Sequence, residues 1–337
     1  MLRGALIGFG NIAVRGHVPA LTSEAMKAKI VISAIVDVAG QNREQAAKLL
    51  PGAVFYSSLE DLLLGGKPDF VDICSPPHTH AEYIRTCTEN KIHILCEKPL
   101  VESFRSVEQT VHTLRGADIA FVPCHQYKYS PLWKTIREYI TSGKLGKVTL
   151  AQFNVYRLQA DTGTTGWNPA WRTSKQISGG GILVDTGAHY FYLAQYFFGL
   201  PKRISAVLRT LKHKEYGVED TALVTLEYPS TLMQINLTWA ASQRANSVDI
   251  AGTEGRLSYD GTRLMVTGVE GEKEIPMPNV SDKNQYIAWY EALAGEFVHR
   301  IETKTYSKDL VDEAYHVMKM LDLSNRSSET GEMLEYA

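Results

Sequence analysis

The sequence has 337 residues, of which 44% are hydrophobic and 21% are charged, as expected for a globular protein with an apolar core. Thirty-five Lys and Arg residues balance 37 Asp and Glu residues, and this net charge of -2 gives no reason to expect nucleic acid or a membrane as a partner. No apolar stretch approaches the roughly 20 residues of a membrane span, and the first residues do not resemble a signal peptide. The cysteines form no CxxC pair, so they are expected to be buried thiols of a reducing compartment. They are Cys74, Cys87, Cys96 and Cys124. A cytoplasmic protein with room for two domains is predicted.

The first 125 residues alternate short apolar strands with helix-length segments. Strands are predicted at residues 4–8, 30–37, 53–56, 69–75, 93–97 and 119–124. Helices are predicted at residues 12–27, with an interruption near Pro19, and at residues 43–50, 59–64, 80–90 and 103–115. Strands this apolar, separated by helices, are typical of a parallel sheet covered on both faces. We therefore predict an α/β, doubly wound domain over residues 1–125.

The pattern changes after residue 125, where longer stretches alternate apolar and polar residues. Strands are predicted at residues 148–158, 204–211, 221–228, 233–239, 247–251 and 256–259. Helices are predicted at residues 131–142, 184–197, 285–300 and 307–323. The alternation favours a large, mostly antiparallel open sheet in a second α/β domain over residues 126–337.

The junction between the first strand and the first helix carries a dinucleotide-binding fingerprint. It reads Gly8-Phe9-Gly10-Asn11-Ile12-Ala13. The first glycine permits a tight turn, the second lets the backbone approach a pyrophosphate, and the helix N-terminus favours the phosphates. We expect Gly8, Gly10, Asn11 and Ile12 to contact the cofactor.

Asp37 ends the second strand, where a carboxylate can accept hydrogen bonds from ribose hydroxyls and repel a 2′-phosphate. NAD is therefore favoured over NADP, although Arg43 lies close enough in sequence to weaken the discrimination. The alternative is an ordinary aspartate at the end of a strand.

Two prolines stiffen the chain after the fourth strand, at the edge where doubly wound folds bind ligands. We expect Ser75, Pro76 and His80 to lie against the cofactor. His78 and His80 have no further ligands clustered nearby, so no metal is expected.

Two further segments carry candidate catalytic residues. Glu97 and Lys98 follow the fifth strand, and Lys98 could bond a substrate hydroxyl and favour its alkoxide; the alternative is a salt-bridged pair. Asp185 and His189 follow a triple glycine at i and i+4, so they share one helix face, and the imidazole suits a general base. The alternative there is a helix N-terminal aspartate with a half-buried histidine. Glu97 and Lys98 are also expected to contact the cofactor.

At this point the sequence resembles the glucose–fructose oxidoreductase/inositol dehydrogenase/MocA-type (Gfo/Idh/MocA) family over nearly its whole length. The motifs that carry the resemblance are Gly8-x-Gly10-x-x-Ala13, Ser75-Pro76-Pro77, Glu97-Lys98-Pro99 and Gly179-Gly180-Gly181 followed by Asp185 and His189. The resemblance implies an N-terminal Rossmann domain and a C-terminal domain whose open sheet forms a homodimer or homotetramer. It implies Lys98, Asp185 and His189 as catalytic residues, a Lys98–Pro99 peptide that is often cis, and sugars, inositols or related polyols as substrates.

The chain departs from the family where relatives often carry Asn and Arg after the sixth strand. Here the segment reads His125-Gln126-Tyr127-Lys128-Tyr129. Tyr127 and Lys128 are expected at the substrate. Trp167, Trp171 and Arg172, within residues 166–172, are expected to face a sugar ring and an anionic group, although Trp171 could equally be core or an oligomer contact.

The sequence thus predicts an NAD(P)-dependent oxidoreductase that transfers a hydride between nicotinamide and a hydroxyl or carbonyl carbon of a sugar, inositol or sugar derivative. His189 takes the proton while Lys98 and Asp185 hold the hydroxyl, and Lys98 is the competing proton acceptor. Two alternatives stay open. One is a non-catalytic regulator that binds NAD(P) and a sugar, and the other is a redox-neutral glycoside hydrolase that uses NAD.

Overall fold

The computed structural model of the protein describes residues 1–163, 167–269, 271–280 and 282–336. Its N-terminal part is built on a six-stranded sheet in which every neighbouring pair is parallel. The strands are β1 (Leu2–Ile7), β2 (Ile30–Val36), β3 (Val54–Tyr56), β4 (Phe70–Ile73), β5 (His93–Cys96) and β6 (Phe121–Pro123). Their order, β3-β2-β1-β4-β5-β6, is that of the doubly wound dinucleotide-binding fold, which confirms the predicted fold class.

The connections between these strands are helical, as the apolar runs of the strands require. The helices are α1 (Val18–Leu21), α2 (Asn42–Leu49), α3 (Leu59–Gly65), α4 (His80–Glu89) and α5 (Phe104–Gly116). The predicted helix over residues 12–27 is wrong in its second half. A π-helical turn over Ala13–His17 precedes α1, and turns follow from residue 22. Met26 is the one large apolar side chain of those turns and is buried there without needing a helix.

The C-terminal part is built on a nine-stranded sheet. Its strands are β7 (Val148–Tyr156), β8 (Arg203–Arg209), β9 (Thr221–Glu227), β10 (Leu232–Thr238), β11 (Ala245–Gly252), β12 (Gly255–Tyr259), β13 (Arg263–Gly268), β14 (Gly271–Pro276) and β15 (Leu334–Glu335). In the order β14-β13-β12-β11-β7-β10-β9-β8-β15, the pair β7–β10 is parallel and the other described pairs are antiparallel. The predicted, mostly antiparallel sheet is confirmed, and β13 to β15 extend it beyond the predicted strands.

Helices cover one face of this sheet and leave the other open. The helices of the C-terminal part are α6 (Pro131–Thr141), α7 (Lys175–Ser178), α8 (Ala188–Phe198), α9 (Tyr286–Glu302) and α10 (Asp309–Thr330), of which α10 packs against β8. On the covered face, Phe153 and Ile235 are fully buried, whereas Leu150 and Leu232, paired in register, are exposed on the opposite face. The alternation of β7 and β10 therefore reflects one buried and one solvent-facing surface.

Helix α9 belongs to the C-terminal part in sequence but packs on the first sheet. Its residues Tyr290 and Phe297 share a hydrophobic cluster with Phe9 and Phe70 of the N-terminal part. Gly16 permits this approach, because a Cβ there would lie 2.8 Å from the Tyr290 ring.

Two expectations from the sequence concern the cysteines and membrane-spanning segments. All four cysteines are buried and free. Over the described ranges, none of the helices has the length and apolar character that crossing a membrane requires.

Candidate active site

A cleft of about 310 Å³ opens at the carboxyl ends of β1, β4 and β5, where the first sheet faces the C-terminal part. In doubly wound folds ligands bind at this edge, beside the point where the strand order reverses, here between β1 and β4. The cleft is therefore the candidate active site.

The fingerprint turn meets the requirements of a dinucleotide. Gly8 has a φ of 90°, and a Cβ there would lie 2.7 Å from the backbone nitrogen of Ser75. Gly10 has open space around it, because apart from its chain neighbours no atom of the described residues lies within 4 Å of the position that a Cβ would take. A side chain at either position would distort the turn or fill the space that a pyrophosphate needs. Ile12 lines the cleft beside this turn, and the Asn11 amide donates to the Thr162 carbonyl oxygen at 3.3 Å.

Asp37 lies beside the same turn. Its carboxylate accepts hydrogen bonds from the backbone of Phe9 at 2.5 Å and from the Asn42 side chain at 3.1 Å. The half-buried carboxylate thus fixes the conformation of the turn and places a negative charge at the end of β2. Arg43 does not contact it in the described structure, because its guanidinium lies 4.6 Å from the centre of the Phe55 ring.

The loop after β4 places Ser75 at the cleft but buries His80. Ser75 lines the cleft, and Pro76 leads into the 3-10 turn Pro77–Thr79. His80 is fully buried, with Nε2 2.8 Å from the Ser75 carbonyl oxygen and Nδ1 3.0 Å from that of Pro99. An imidazole enclosed in this way cannot touch a cofactor, so direct contact by His80 is wrong; it positions the two loops that carry Ser75 and Pro99.

Glu97 takes part in a buried network of charged groups behind the cleft. His17 Nε2 lies 3.0 Å from its Oε1, while His17 Nδ1 lies 2.7 Å from Asp72 Oδ2. The Tyr290 hydroxyl donates to the same Glu97 oxygen at 2.5 Å, and the Lys98 amide donates to the other at 3.1 Å. Burial by itself lowers the pKa of His17, but the Asp72 carboxylate raises it well above the ordinary value. Both ring nitrogens therefore carry protons, and an imidazolium joins two carboxylates.

The same network contains groups that could ligate a metal. Ligand atoms of His17, Asp72 and Cys74, and of His17, Glu97 and Cys124, lie within 4.8 Å of one another. Burial raises the pKa of both thiols, so they stay protonated, and both histidine nitrogens already face carboxylates. These contacts favour a structural role for the network.

Lys98 and Asp185 meet in the cleft, but through the backbone of Asp185. The Lys98 Nζ donates to the Asp185 carbonyl oxygen at 2.5 Å, while the Asp185 carboxylate accepts from Arg172 Nε at 3.0 Å. The Lys98–Pro99 peptide is cis. The ammonium group is thereby directed at the start of the segment that carries His189.

His189 is the second residue of α8 and faces the cleft. It follows the π-helical turn Leu183–Gly187, which contains Asp185. Its Nδ1 lies 2.8 Å from the Tyr192 hydroxyl, and its ring stacks on Tyr127 at 4.2 Å and 7°. Nε2 has no hydrogen bond to any described residue. Burial and the nearby Lys98 ammonium lower the pKa of His189 well below its usual value, so the ring is neutral near pH 7.

Tyr127 and Lys128 have different environments despite being neighbours. Tyr127 lines the cleft and its hydroxyl lies 2.9 Å from that of Tyr286. Lys128 points away, with Nζ 2.8 Å from both carboxylate oxygens of Glu313, so the prediction that it binds substrate is wrong. Burial alone would raise the pKa of Glu313, but His125 and Lys128 lower it to about 2.

The segment over residues 166–172 contributes two side chains to the cleft. Trp171 and Arg172 line it, and the guanidinium lies 4.2 Å from the centre of the indole ring. Trp167 does not line it; its ring is 42% exposed and stacks near His78 at 6.3 Å. Gly166, the first residue of the segment, lies outside the described residues.

Arg157 and Arg244 also line the cleft, and neither was predicted. A signal for Arg157 was present in the sequence. The residues of β7 that face inward are Ala151, Phe153 and Val155, and Arg157 continues this register. A cation at an inward position of an alternating strand is unusual unless it has a partner or a ligand. No comparable pattern marks Arg244, which lies in a polar turn before β11.

Both halves of the chain match descriptions of one protein family. Residues 2–123 match "Oxidoreductase family, NAD-binding Rossmann fold" (GFO_IDH_MocA), and residues 133–258 match "GFO/IDH/MocA C-terminal domain". Among curated relatives, D-glucoside 3-dehydrogenase of Escherichia coli K12 is 24% identical over 99% of this chain and 97% of its own. Myo-inositol 2-dehydrogenase of Thermotoga maritima is 25% identical over 81% of this chain and 80% of its own.

Solved structures show the same fold. An oxidoreductase from Agrobacterium radiobacter in complex with NAD+, L-tartaric acid and magnesium is 20% identical and superposes with a TM-score of 0.85 over 99% of this chain and 98% of its own. A levoglucosan dehydrogenase in complex with NADH and L-sorbose is 19% identical, with a TM-score of 0.86 over 100% of this chain and 99% of its own. The chain belongs to the GFO/IDH/MocA family of NAD(P)-dependent oxidoreductases that act on CH–OH groups.

Proposed function

We propose that the protein is an NAD(P)-dependent dehydrogenase that oxidises a hydroxyl of a sugar or polyol, or reduces the matching carbonyl. The observation that carries the proposal is the convergence of the Lys98 ammonium, Asp185 and the free Nε2 of His189 in a cleft behind a dinucleotide turn. The names of the curated relatives, which include a glucoside and an inositol dehydrogenase, support the same substrate class.

The cofactor proposal rests on the shape of the turn after β1. The positive φ of Gly8 and the open space at Gly10 fit a pyrophosphate, and the Asp37 carboxylate favours NAD over NADP. Asn11, Ile12, Ser75 and Lys98 line the cleft between this turn and the substrate. When bound, the nicotinamide supplies the acceptor for the hydrogen and electron pair of a substrate C–H bond.

His189 is the proposed proton acceptor. As the substrate C–H bond breaks, the hydroxyl proton passes to Nε2 and the C–O bond becomes a carbonyl. This requires the tautomer in which Nδ1–H donates to the Tyr192 oxygen, and a neutral ring, which the lowered pKa of His189 provides. The stacked Tyr127 ring holds the imidazole plane in one orientation.

Lys98 and Asp185 hold the reacting oxygen. The Lys98 ammonium stabilises the negative charge that develops there, and its bond to the Asp185 carbonyl oxygen limits its motion. Lys98 remains the competing proton acceptor, and replacement of His189 tests the two assignments.

The test is reduction of NAD⁺ or NADP⁺ in the presence of inositols, aldoses, uronic acids and sugar nucleotides, followed by absorbance of the reduced nicotinamide. We expect one polyol class to react, with NAD⁺ preferred, and a loss of turnover of roughly 100-fold or more in His189→Ala. The matched control is His112→Ala on the exposed side of α5, which is expected to keep full activity.

Three outcomes would contradict parts of this proposal. Full turnover of His189→Ala removes the base assignment and leaves Lys98. Silence across the panel with intact NAD⁺ binding favours a regulator, and cleavage of a glycoside without net NADH favours the redox-neutral hydrolase.

The open face of the C-terminal sheet is the proposed oligomer contact. Leu150, Leu223 and Leu232 are exposed on that face, between amide side chains that bond across the strands. A homodimer or homotetramer through this face is expected, and light scattering with a Leu150→Glu and Leu232→Glu variant tests it; a monomeric wild type would exclude it.

A further inference from the structure

The cleft carries more positive than negative charge. Six basic side chains line it: Arg15, Lys98, Arg157, Arg172, Arg244 and Lys283. Among the residues that the structure describes, three carboxylates face them: Glu97, Asp161 and Asp185. Each carboxylate already has a cationic partner, since Glu97 bonds to His17, Asp161 to Lys283 at 2.6 Å, and Asp185 to Arg172 at 3.0 Å. The remaining basic residues form no ion pair with a described residue.

Arg157 is the unusual member of this set because it is only 8% exposed. Its Nη1 donates to the carbonyl oxygens of Tyr156 at 2.8 Å and Ala245 at 3.1 Å, and to Asn246 Oδ1 at 2.9 Å. All three acceptors are neutral. For Nε and Nη2 the described residues offer no acceptor. A buried cation without an anion is costly, so such groups are normally paired.

The position of Arg157 relates it to the reacting centre. It lies directly after β7 and lines the cleft from the C-terminal part. Its charge contributes to the lowered pKa of His189 and acts on Tyr127, which stacks on that imidazole. Arg244, exposed at the rim, acts on Tyr127 as well. Because Arg157, Tyr127 and His189 line the same cleft, an anion held by Arg157 would belong to the molecule that reacts beside His189.

We propose that Arg157, assisted by Arg244, binds a carboxylate or phosphate group carried by the sugar or polyol, so that the enzyme acts on an acidic substrate. This rests on the proposed function, because it names the substrate class of the same site. The planar guanidinium offers Nε and Nη2 together, which is the geometry for bidentate recognition of an oxyanion. Among the described residues the three neutral acceptors occupy Nη1 alone, so Nε and Nη2 remain for an oxyanion.

The test compares acidic sugars with their neutral counterparts by calorimetric binding to the NADH-saturated protein, in which a substrate hydroxyl cannot be oxidised. The pairs are D-glucuronate with D-glucose, D-galacturonate with D-galactose, and D-gluconate with D-glucitol, and glucose 6-phosphate is the phosphate arm. We expect at least one acidic member to bind roughly 10-fold or more tightly than its neutral partner, because charged hydrogen bonds to a desolvated group contribute this much. Whichever binds more tightly, the sugar acids or glucose 6-phosphate, identifies whether the site recognises a carboxylate or a phosphate group.

Variants of Arg157 test whether this side chain causes the preference for acidic sugars. Arg157→Gln is expected to lose roughly 10- to 100-fold in affinity for the acidic probe and little for its neutral partner. Arg157→Lys keeps the charge without the paired donors and should retain part of the preference. The matched control is Arg209→Gln on β8, whose guanidinium donates only to the Leu208 carbonyl among the described residues and lies outside the cleft. NAD⁺ affinity and melting temperature establish that each variant is folded.

Two results would overturn the proposal. One is equal or weaker binding of the acidic member in every pair and of glucose 6-phosphate; the other is an acid preference that survives in folded Arg157→Gln. If Arg157→Gln does not fold, a reduced preference in Arg157→Lys decides for the proposal and full retention decides against it. Binding is measured without turnover, so the binding result can be interpreted even if the dehydrogenase assay fails. Failure of that assay would remove only the proposed reaction.

Discussion

The buried network around His17 predicts a large and pH-dependent loss of stability in His17→Gln. The imidazolium lies 2.7 Å from Asp72 and 3.0 Å from Glu97, and all three side chains are almost fully buried. Glutamine can bond to one of these carboxylates but supplies no positive charge. Removing one partner from a buried ion pair costs about 3–5 kcal/mol, because the other charge stays buried and uncompensated. We expect the free energy of unfolding to fall by about this amount.

The pH dependence of this loss follows from the pKa shifts. The pKa of His17 is raised in the folded protein, so its contribution is complete below the usual value of 6.5 and disappears as pH rises through the folded value. Burial alone would raise the pKa of Glu97, but His17 lowers it, so that carboxylate contributes above 4.5 and its contribution is lost as pH falls through the folded value. The difference between wild type and variant should therefore be largest between pH 4.5 and 6.5 and shrink toward alkaline pH.

The assay is urea unfolding followed by tryptophan fluorescence at several pH values, with His112→Gln as the control. His112 is exposed on α5, and its replacement should change stability by less than about 0.5 kcal/mol. A His17→Gln protein as stable as this control, or a difference that does not vary with pH, would refute the reasoning.

Three further predictions concern single side chains. Tyr192→Phe removes the partner of His189 Nδ1, so kcat should fall roughly 10- to 100-fold with KM little changed, as for other groups that orient a ring nitrogen; steady-state kinetics would show an unchanged kcat if the contact does not matter. Asp37→Ser removes a charge that repels a 2′-phosphate, so the ratio of kcat/KM for NADP⁺ to that for NAD⁺ should rise roughly 10-fold or more, and an unchanged ratio would show that Asp37 does not select the cofactor. Lys128→Met leaves Glu313 with His125 as its only ion-pair partner among the described residues, so the free energy of unfolding from melting curves should fall by about 2 kcal/mol. The KM for the sugar should stay constant, and a raised KM would show that Lys128 contributes to substrate binding.

Much of the fold was predictable because apolar periodicity and glycine positions depend on local chemistry. The six parallel strands followed from buried runs such as that of β2, and the paired sheet strands from the alternation in β7 and β10. Strand β14 was missed because its sequence, Gly271–Pro276, is charged and almost wholly exposed at the sheet edge, so it lacks the apolar signal. A strand of this kind is defined by the neighbour it pairs with.

The candidate site was predictable where short motifs carry it and unpredictable where distant segments meet. Lys98 and His189 do line one cleft, as their motifs indicate. The partner of Lys128 is Glu313, 185 residues away in sequence, and no local sequence pattern predicts this contact. The buried contacts of His80 likewise depend on the loop that follows Glu97. Sequence spacing therefore located the cleft better than it assigned individual contacts.

The docking of α9 on the first sheet has a consequence for biosynthesis. Phe9 and Phe70 are covered by residues near position 290, and the same helix provides the hydroxyl that satisfies Glu97. The ribosome makes this helix long after β6, so the dinucleotide-binding half emerges with one apolar face uncovered. That face is covered only once residues 286–302 have been synthesised. The half that resembles an independent nucleotide-binding module is therefore completed by a segment distant in sequence, and residues 1–125 produced alone would expose that face to solvent.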